Sequence, residues 1–241
     1  PYDEIKDVAF KIFKGNDGKP IAWMWYGIAK FEKQIPVVNE MRCIRLRKEN
    51  IQIGDESTIG YPKYFKEQRG NSYFIGEVFA VDNGLIPNAR RDYFNQNPAT
   101  KQFEKVLKPF FNSELYNLYH YASKVRSAQK TVSNFQKKEE EYKEKLNNAG
   151  FIDTEERETA QKELEEERAK SLKAQREIEN RRKDADENEV LNRVFNEIEK
   201  TYKSHWRIFI FIIWFNKQNL SHLFAQLFLY FFYYHFRIIF R

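Results

Sequence analysis

The sequence has little cysteine, histidine or glycine for a chain of 241 residues, and it lacks the common catalytic motifs. Its one cysteine, Cys43, has no partner thiol, which excludes an internal disulfide and a cysteine-based zinc site and fits a reducing cytoplasm. No P-loop, GxGxxG, GxSxG or HExxH pattern occurs. The histidines are scattered, so we expect them to be packing or surface residues rather than ligands: His120, His205, His222 and His235.

A strong charge of one sign is also absent from most of the chain. The net charge is +6, but residues 1–123 carry 18 basic and 15 acidic side chains, and residues 124–205 carry 19 and 20. Nucleic-acid binding depends on clustered lysine and arginine, so this near-neutral body argues against nucleic acid as a partner. The chain begins at Pro1 without an initiator methionine, and we expect it to be a fragment of a longer protein.

The first third has the pattern of β-structure, and 41% hydrophobic residues can supply a core. Residues 5–14 and 21–30 flank the turn sequence GNDGKP, which predicts a hairpin. Residues 42–48 alternate, with Ile44 and Leu46 on one face and two arginines on the other. Residues 73–82 predict a further strand, and the loop NGLIPN follows it.

Helical patterns begin at Asn97, which is expected to cap a helix that has Pro98 at its first position. The predicted apolar stripe contains Phe103, Val106, Leu107 and Phe110. Pro109 is expected to end or kink this helix, and Ser113 to cap the next one.

A seven-residue repeat then predicts an antiparallel helical hairpin, or coiled coil, over residues 124–205. Its first helix should end near Gly150, and its second should begin with a capping box of Asp153 and Glu156 and run from residue 155 to about 203. The second helix is so polar that we expect a solvated surface rather than a dedicated binding face. The seam of the first helix contains Val125, Ala128, Val132, Phe135, Tyr142, Leu146 and Ala149.

Residues 206–241 form an aromatic, hydrophobic tail with four basic residues and no acidic residue. A spanning helix needs about 20 consecutive apolar residues, whereas a polar tetrad at residues 216–219 divides this tail into two shorter runs. Two interpretations stay open: a membrane-associating segment, and a product of AT-rich DNA translated in the wrong frame.

The most informative stretch for chemistry is residues 77–97, EVFAVDNGLIPNARRDYFNQN. A buried strand leads into a loop in which Arg90 and Arg91 stand just before a helix-like turn. An arginine in such a place can reach a phosphate, because guanidinium offers a planar fork of donors and stays charged. The alternative is a surface salt-bridge cluster of Arg90, Arg91 and Asp92.

The run LIPNARRDYFNQN resembles a segment in the middle domain of HtpG-type heat-shock chaperones, which are GHKL-type ATPases. There a strand ending in Val-Asp is followed by Leu-Pro-Leu-Asn-Val-Ser-Arg-Glu and a helix. Asn88 falls on the family's Asn, Arg90 on its Ser, Arg91 on its Arg and Asp92 on its Glu. Residues 44–56 and 73–82 are similar to other bacterial ATP-binding proteins of this group. The resemblance covers residues 5–123 in outline and is specific over residues 76–97.

The resemblance implies an α+β two-layer transducer domain over residues 1–123, with a left-handed βαβ crossover. It implies that Arg91 contacts the γ-phosphate of ATP, supported by Asn88, Arg90 and Asp92. ATP and magnesium would be held mainly by an upstream domain, because the Bergerat nucleotide motifs do not occur here. The fragment alone should then bind no cofactor and hydrolyse no ATP.

The implied partners are the upstream ATPase domain and, through the helices, a second subunit. A chaperone-like cytoplasmic ATPase would use these helices to report its closed state. Two other functions stay open: a coiled-coil adaptor that binds nucleic acid through the strand face of Arg42, Arg45, Arg47 and Lys48, and a structural protein tethered to a membrane by residues 206–241.

Overall fold

The computed structural model describes residues 3–148 and 150–217, with side chains described as far as residue 203. The fold is α+β, as predicted, with one five-stranded mixed sheet and several helices. The strands are β1 (Asp7–Lys14), β2 (Pro20–Ile28), β3 (Cys43–Lys48), β4 (Ile51–Ile53) and β5 (Ile75–Ala80). The helices are α1 (Pro98–Pro109), α2 (Tyr116–Asn147), α3 (Thr154–Asp186) and α4 (Glu189–Lys217).

The strands lie in the order β1-β2-β5-β3-β4. Neighbours are antiparallel except β3 and β5, which are parallel. The predicted hairpin and the two further strands are confirmed, whereas β4 was not predicted. Residues 49–74, which join the parallel pair, contain β4 and a short 3-10 helix (Gly70–Tyr73) but no α-helix, although the resemblance implies a helical crossover.

The two faces of the sheet have different surroundings. The inner face is covered by α1 and by the start of the long helical region, with Phe13 and Tyr26 in edge-to-face contact with Phe110 at 5.4 and 6.0 Å between ring centroids. Its buried side chains include Ala9, Phe13, Met24, Tyr26, Ile44, Leu46 and Val78. The alternation of β3 is confirmed, because Arg45 and Arg47 are only half-buried on the outer face.

The start of α1 is as predicted, since the Asn97 side chain accepts a hydrogen bond from the Thr100 amide at 2.8 Å. Pro109 does not end the helical path, which continues through a π-helical turn (Phe110–Leu115) into α2. Such a turn can accommodate the proline, which has no amide hydrogen to donate. The predicted cap at Ser113 is wrong: its hydroxyl donates to the Pro109 carbonyl at 2.5 Å.

The partners of α2 along α3 occur in reverse order. Lys145 pairs with Glu156 at 3.3 Å, Lys138 pairs with Glu167 at 3.4 Å, and further back the Tyr121 hydroxyl donates to the Arg181 carbonyl at 2.7 Å. Burial of the predicted seam decreases along α2. Val125 and Ala128 are buried, Val132, Phe135 and Tyr142 are half-buried, and Leu146 is 41% exposed. Ala149 lies outside the described residues.

The start of α3 has the predicted N-cap, Asp153, but the second bond of the capping box goes to the residue before the cap. The Asp153 carboxylate accepts from the Glu156 amide, and the Glu156 carboxylate accepts from the Ile152 amide, each at 2.7 Å. The prediction of one helix over residues 155–203 is wrong, because α3 ends at Asp186. Asn188 then accepts from two amides of the first turn of α4, at 3.0 and 3.1 Å, and so begins a new helix.

One compact unit of the chain ends at Glu199, and a second unit begins at Lys200. The predicted boundary between residues 123 and 124 lies inside α2, and that between residues 205 and 206 lies inside α4. The rest of the predicted tail, residues 218–241, lies outside the described residues. In the described part of the chain, no helix is both long enough and apolar enough to cross a membrane.

Candidate functional site

The predicted site residues lie in the loop that joins β5 to α1. This loop folds into a small hairpin of its own, in which Pro87 and Phe94 form an antiparallel bridge. The Asn88 amide donates to the Tyr93 carbonyl at 2.9 Å, and the Arg91 amide donates to the Asn88 carbonyl at 3.0 Å. The second bond closes a four-residue turn. Arg90 and Arg91 are therefore at the tip of a hairpin and not at the start of a helix, since α1 begins only at Pro98.

The backbone of Arg91 is fixed from two sides. Its φ angle is 55°, in the left-handed region, and its carbonyl accepts a hydrogen bond from the Gly54 amide at 2.6 Å. Gly54 follows β4 and also has a positive φ, of 65°. A Cβ atom there would lie only 2.6 Å from the Asp92 carbonyl oxygen, so this approach requires glycine. The hairpin tip is thereby tied to the end of β4.

The side chains of the two arginines are exposed, and neither forms an ion pair with another described residue. The Asp92 carboxylate accepts from the Asn88 side-chain amide at 2.6 Å instead. The surface salt-bridge cluster that was the alternative from the sequence is therefore not formed. The Asn88 side-chain oxygen is buried and has no hydrogen-bond partner among the described residues.

A shallow groove of about 250 Å³ runs beside Arg91. Two cationic side chains, Lys48 and Arg91, and one carboxylate, Glu49, line it together with apolar residues of β4 and of the loop. The Lys48 ammonium donates to the Asp82 carbonyl at 2.8 Å. Ligand pockets that enclose a small molecule are typically 300–1,000 Å³, so this groove suits one anionic group presented from outside rather than a whole nucleotide.

A cluster of polar side chains anchors the hairpin to α1. The Tyr93 and Tyr64 hydroxyls are 2.6 Å apart, and the Lys63 ammonium lies 2.9 Å from the centre of the Tyr93 ring. Lys63 also pairs with Glu104 of α1 at 3.0 Å. Burial lowers the pKa of Lys63 and raises the pKa of Tyr93. Sequence reasoning missed this cluster, because its members are far apart in the chain and no motif links them.

The basic strand face proposed for nucleic acid does not form as a unit. Arg42 donates to Ser72 at 2.8 Å, Arg47 pairs with Glu77 at 2.5 Å, and Lys48 belongs to the opposite face of β3. Arg45 alone of the four has neither an ion pair nor a polar partner among the described residues. Of these four cations within residues 42–48, one is therefore unpaired on the outer face as far as the described residues show.

Of the residues that the resemblance associates with ATP, Arg91 suits a terminal phosphate. Lys48, which the resemblance does not include, adds a second cationic donor at the same groove. Among residues 3–148 and 150–217, no three acidic, histidine or cysteine side chains cluster in a way that could hold a metal ion.

Comparison of the chain with protein-family models, curated proteins and solved structures found no match.

Proposed function

We propose that this chain is the transducer part of a GHKL-type ATPase, in which Arg91 contacts the γ-phosphate of ATP held by an upstream domain. The observation that supports this most is the state of Arg91: its side chain is exposed and has no ion pair among the described residues, while its backbone is tied to Gly54. A salt-bridged surface arginine would have its donors already occupied.

The fixed backbone of Arg91 favours contact with a phosphate, because a donor that is already positioned loses less conformational entropy when it binds. A turn that holds the Cα of Arg91 reduces the conformational entropy lost when the guanidinium reaches the phosphate. The guanidinium can then donate two parallel hydrogen bonds to phosphate oxygens. Arginines inserted in this way contribute about a thousandfold or more to the rate in other phosphoryl-transfer enzymes.

ATP and magnesium would be bound mainly by the upstream domain. ATP would supply the phosphoryl group, and magnesium would neutralise part of its charge. In this chain Arg91 would orient the terminal phosphate, and Lys48 would add positive charge beside it. Asn88 and Asp92 would hold the turn through their mutual hydrogen bond, and Arg90 would have the smaller role.

The helices would carry the resulting movement to a partner. In this proposal α2 and α3 form an antiparallel coiled-coil hairpin, which the reversed order of their contacts supports. A hairpin that is well packed at its base and exposed towards its tip can act as a lever or as a surface for a second subunit. The proposal also includes a cytoplasmic location and a left-handed path for residues 49–74 between β3 and β5, a connection that contains no α-helix.

The experiment joins this chain to its upstream domain and measures steady-state ATP hydrolysis and ADP binding. Arg91→Ala should lower kcat at least a hundredfold and leave ADP affinity within about twofold, because ADP lacks the contacted phosphate. Arg91→Lys should recover little, since an ammonium lacks the planar fork. Arg90→Ala is the matched control and should keep most of the activity.

Equal turnover in Arg90→Ala and Arg91→Ala would contradict the proposal. If Arg91→Ala lowered the melting temperature and left turnover per folded molecule unchanged, the residue would be structural. Both arginines are exposed neighbours on one turn, so each variant removes one positive charge from the same surface. A difference in turnover between the two variants therefore reports the specific contact of Arg91 and not the loss of charge.

A further inference from the structure

The outer face of the sheet, which α1 does not cover, carries a strip of large apolar side chains. Strand pairing places Ile12, Trp23 and Phe79 side by side in one row across β1, β2 and β5. In the next row Phe10 is paired with Trp25, and Trp25 with Glu77. Phe10 is 72% exposed, Ile12 60% and Trp23 36%. These side chains, Phe10, Ile12, Trp23, Trp25 and Phe79, are called the outer strip below.

The three rings of the outer strip that lie on β2 and β5 are held by contacts within the chain. Trp23 and Phe79 stack with ring centroids 4.2 Å apart and planes only 4° from parallel. The Trp25 indole donates to Glu77 at 3.2 Å, and Glu77 in turn pairs with Arg47. Binding to such a surface immobilises few side chains, so little of the binding energy is lost to ordering.

One cation on the border of the outer strip, Arg45, has no polar partner in the part of the chain that the structure describes. Arg45 of β3 is paired across the sheet with Glu77 of β5, which is itself bonded to Arg47 and Trp25. Among the described residues Arg45 forms no ion pair, and its Nε is buried without a hydrogen-bond partner. Only Nε of this guanidinium is buried and the residue as a whole is half-buried, so a carboxylate of a partner can reach the terminal nitrogens and accept charge-assisted hydrogen bonds from them.

The dimensions of the outer strip match those of one helix. Its three strands lie about 4.8 Å apart, so the strip is about 10 Å wide, the diameter of an α-helix. The strip itself spans three residues along the strands, and together with the adjoining row at Gly27 it extends over five residues of β1, or about 17 Å, which is the length of three helical turns. At one end it continues into a groove of about 540 Å³ lined by Gly27 and Ile75 of the sheet and by Pro36 and Val38 of the loop after β2.

The other face of the same sheet already packs against helices through aromatic side chains. A sheet that is apolar on both faces belongs to an arrangement with a helix layer on each. Nucleic acid fits less well, because the carboxylate of Glu77 lies in this surface and its cations are few. Among the described residues Arg47 is paired with Glu77, which leaves Arg45 and, at the end of β1, Lys14. If the strip packed against the strip of a second copy, the Arg45 side chains of both copies would lie in the interface. Neither copy would then supply a carboxylate to pair with them.

We propose that the outer strip binds an amphipathic α-helix of about three turns from a partner protein or domain, and that this helix carries a carboxylate opposite Arg45. The apolar face of the helix would cover Phe10, Ile12 and Trp23, and its carboxylate would accept from the unpaired guanidinium. This surface does not include Arg91, and the proposal does not depend on ATP or on the transducer role.

The test uses the full chain and a phage-displayed library of 16-residue helical peptides. The library fixes an apolar stripe and randomises the flanking positions among Glu, Gln and Lys. Selected peptides should carry Glu at one constant flanking position and bind with micromolar Kd in solution. Phe10→Ser and Trp23→Ser should each weaken binding at least tenfold, whereas Ile152→Ser, at an exposed apolar residue far along the chain, should leave it unchanged.

A charge exchange tests the contact with Arg45. Arg45→Glu should weaken the selected peptide at least tenfold, and replacing the peptide's constant Glu by Arg should restore most of the affinity. Circular dichroism of each variant checks that it folds. If Trp23→Ser loses structure together with its stacked partner, Phe10→Ser, at the most exposed position of the strip, decides the result.

Several results would overturn the proposal. These are a selection that yields no binder, peptides that bind Phe10→Ser as well as the wild-type chain, or an Arg45→Glu variant that the exchanged peptide does not rescue. Self-association in sedimentation that Phe10→Ser abolishes would assign the strip to a second copy. Binding of a 20-nucleotide oligo-dT that is tighter than the peptides and lost in Arg45→Glu would assign it to nucleic acid.

Discussion

Arg91 and Arg90 are adjacent arginines with similar exposure, and what distinguishes them is the backbone. Only Arg91 has a positive φ, and only its carbonyl is bonded to Gly54. A non-glycine residue in the left-handed region costs about 1 kcal/mol or more, which the surrounding hydrogen bonds must offset. The resemblance selected Arg91 by alignment, and the structure independently gives it the more constrained main chain.

We predict that Gly54→Ala lowers the free energy of unfolding by about 2–3 kcal/mol. The new methyl group would require a left-handed alanine and would also lie 2.6 Å from the Asp92 carbonyl oxygen and 2.0 Å from Thr58 Oγ1. Gly18→Ala is the matched control: its φ of 77° imposes the same backbone cost, but no atom lies within 4 Å of the added methyl group, so we expect a loss of about 1 kcal/mol.

Urea unfolding of both variants measures this difference. Equal losses of unfolding free energy in the two variants would mean that the close approach of Gly54 does not constrain the hairpin tip. In the two-domain ATPase proposed above, Gly54→Ala should also lower ATP turnover per folded molecule, because the turn that carries Arg91 would have to move. Gly18→Ala should leave that turnover unchanged.

At the scale of the element, short-range sequence patterns correctly predicted helix starts that depend on one capping hydrogen bond and strand faces that depend on one alternation. The Asn97 and Asp153 caps and the two faces of β3 are examples, because each depends on neighbours within four residues. The same patterns missed two other local features. Residues 51–53 form a strand by pairing with the adjacent strand β3, and Asn188 accepts from amides two and three residues ahead and so divides what periodicity suggested was one helix.

The α2 seam gives a graded prediction along one helix. Val125→Ala should lower the free energy of unfolding by about 2 kcal/mol, since the side chain is fully buried and its loss leaves a cavity. Leu146→Ala should cost about 0.5 kcal/mol, although it removes more atoms, because Leu146 is already 41% exposed. Urea unfolding followed by circular dichroism at 222 nm measures both. A larger effect at Leu146 would mean that the end of α2 is buried against another chain in solution.

For the whole molecule, periodicity indicated strands in the first third and helices after residue 97, and the α+β class itself was implied by the resemblance. They could not show which face of the sheet is covered. Phe10, Ile12 and Trp23 have the side chains of a core, and only the strand order and the position of α1 show that they lie outside it. Local patterns also could not predict that the hairpin carrying Arg91 is anchored by the contact between the Tyr64 and Tyr93 hydroxyls, because these residues are 29 positions apart in the chain.

The same limit applies to the nucleic-acid alternative. Along β3 the arginines have no aromatic neighbours, which argued against a stacking surface. Across the sheet, however, Arg47 lies beside Phe79, and Arg45 lies beside Glu77. Cross-strand neighbours depend on strand order, which the sequence of one strand does not contain. The outer strip is therefore a property of the assembled sheet rather than of any segment.

The whole chain should neither hydrolyse ATP nor bind it tightly, because one exposed arginine and one lysine beside a 250 Å³ groove can hold a terminal phosphate but not an adenosine. Isothermal calorimetry with ATP and magnesium should give a Kd above about 1 mM, with heats similar for inorganic pyrophosphate, since both offer the same terminal group. Arg91→Ala should abolish this weak binding, and Arg90→Ala should change it less than twofold. Micromolar affinity for ATP that pyrophosphate does not share would mean that the chain itself contains a nucleotide site, and Arg91 would then have to be reassigned from a sensor of a neighbouring domain's ligand to a residue of that site.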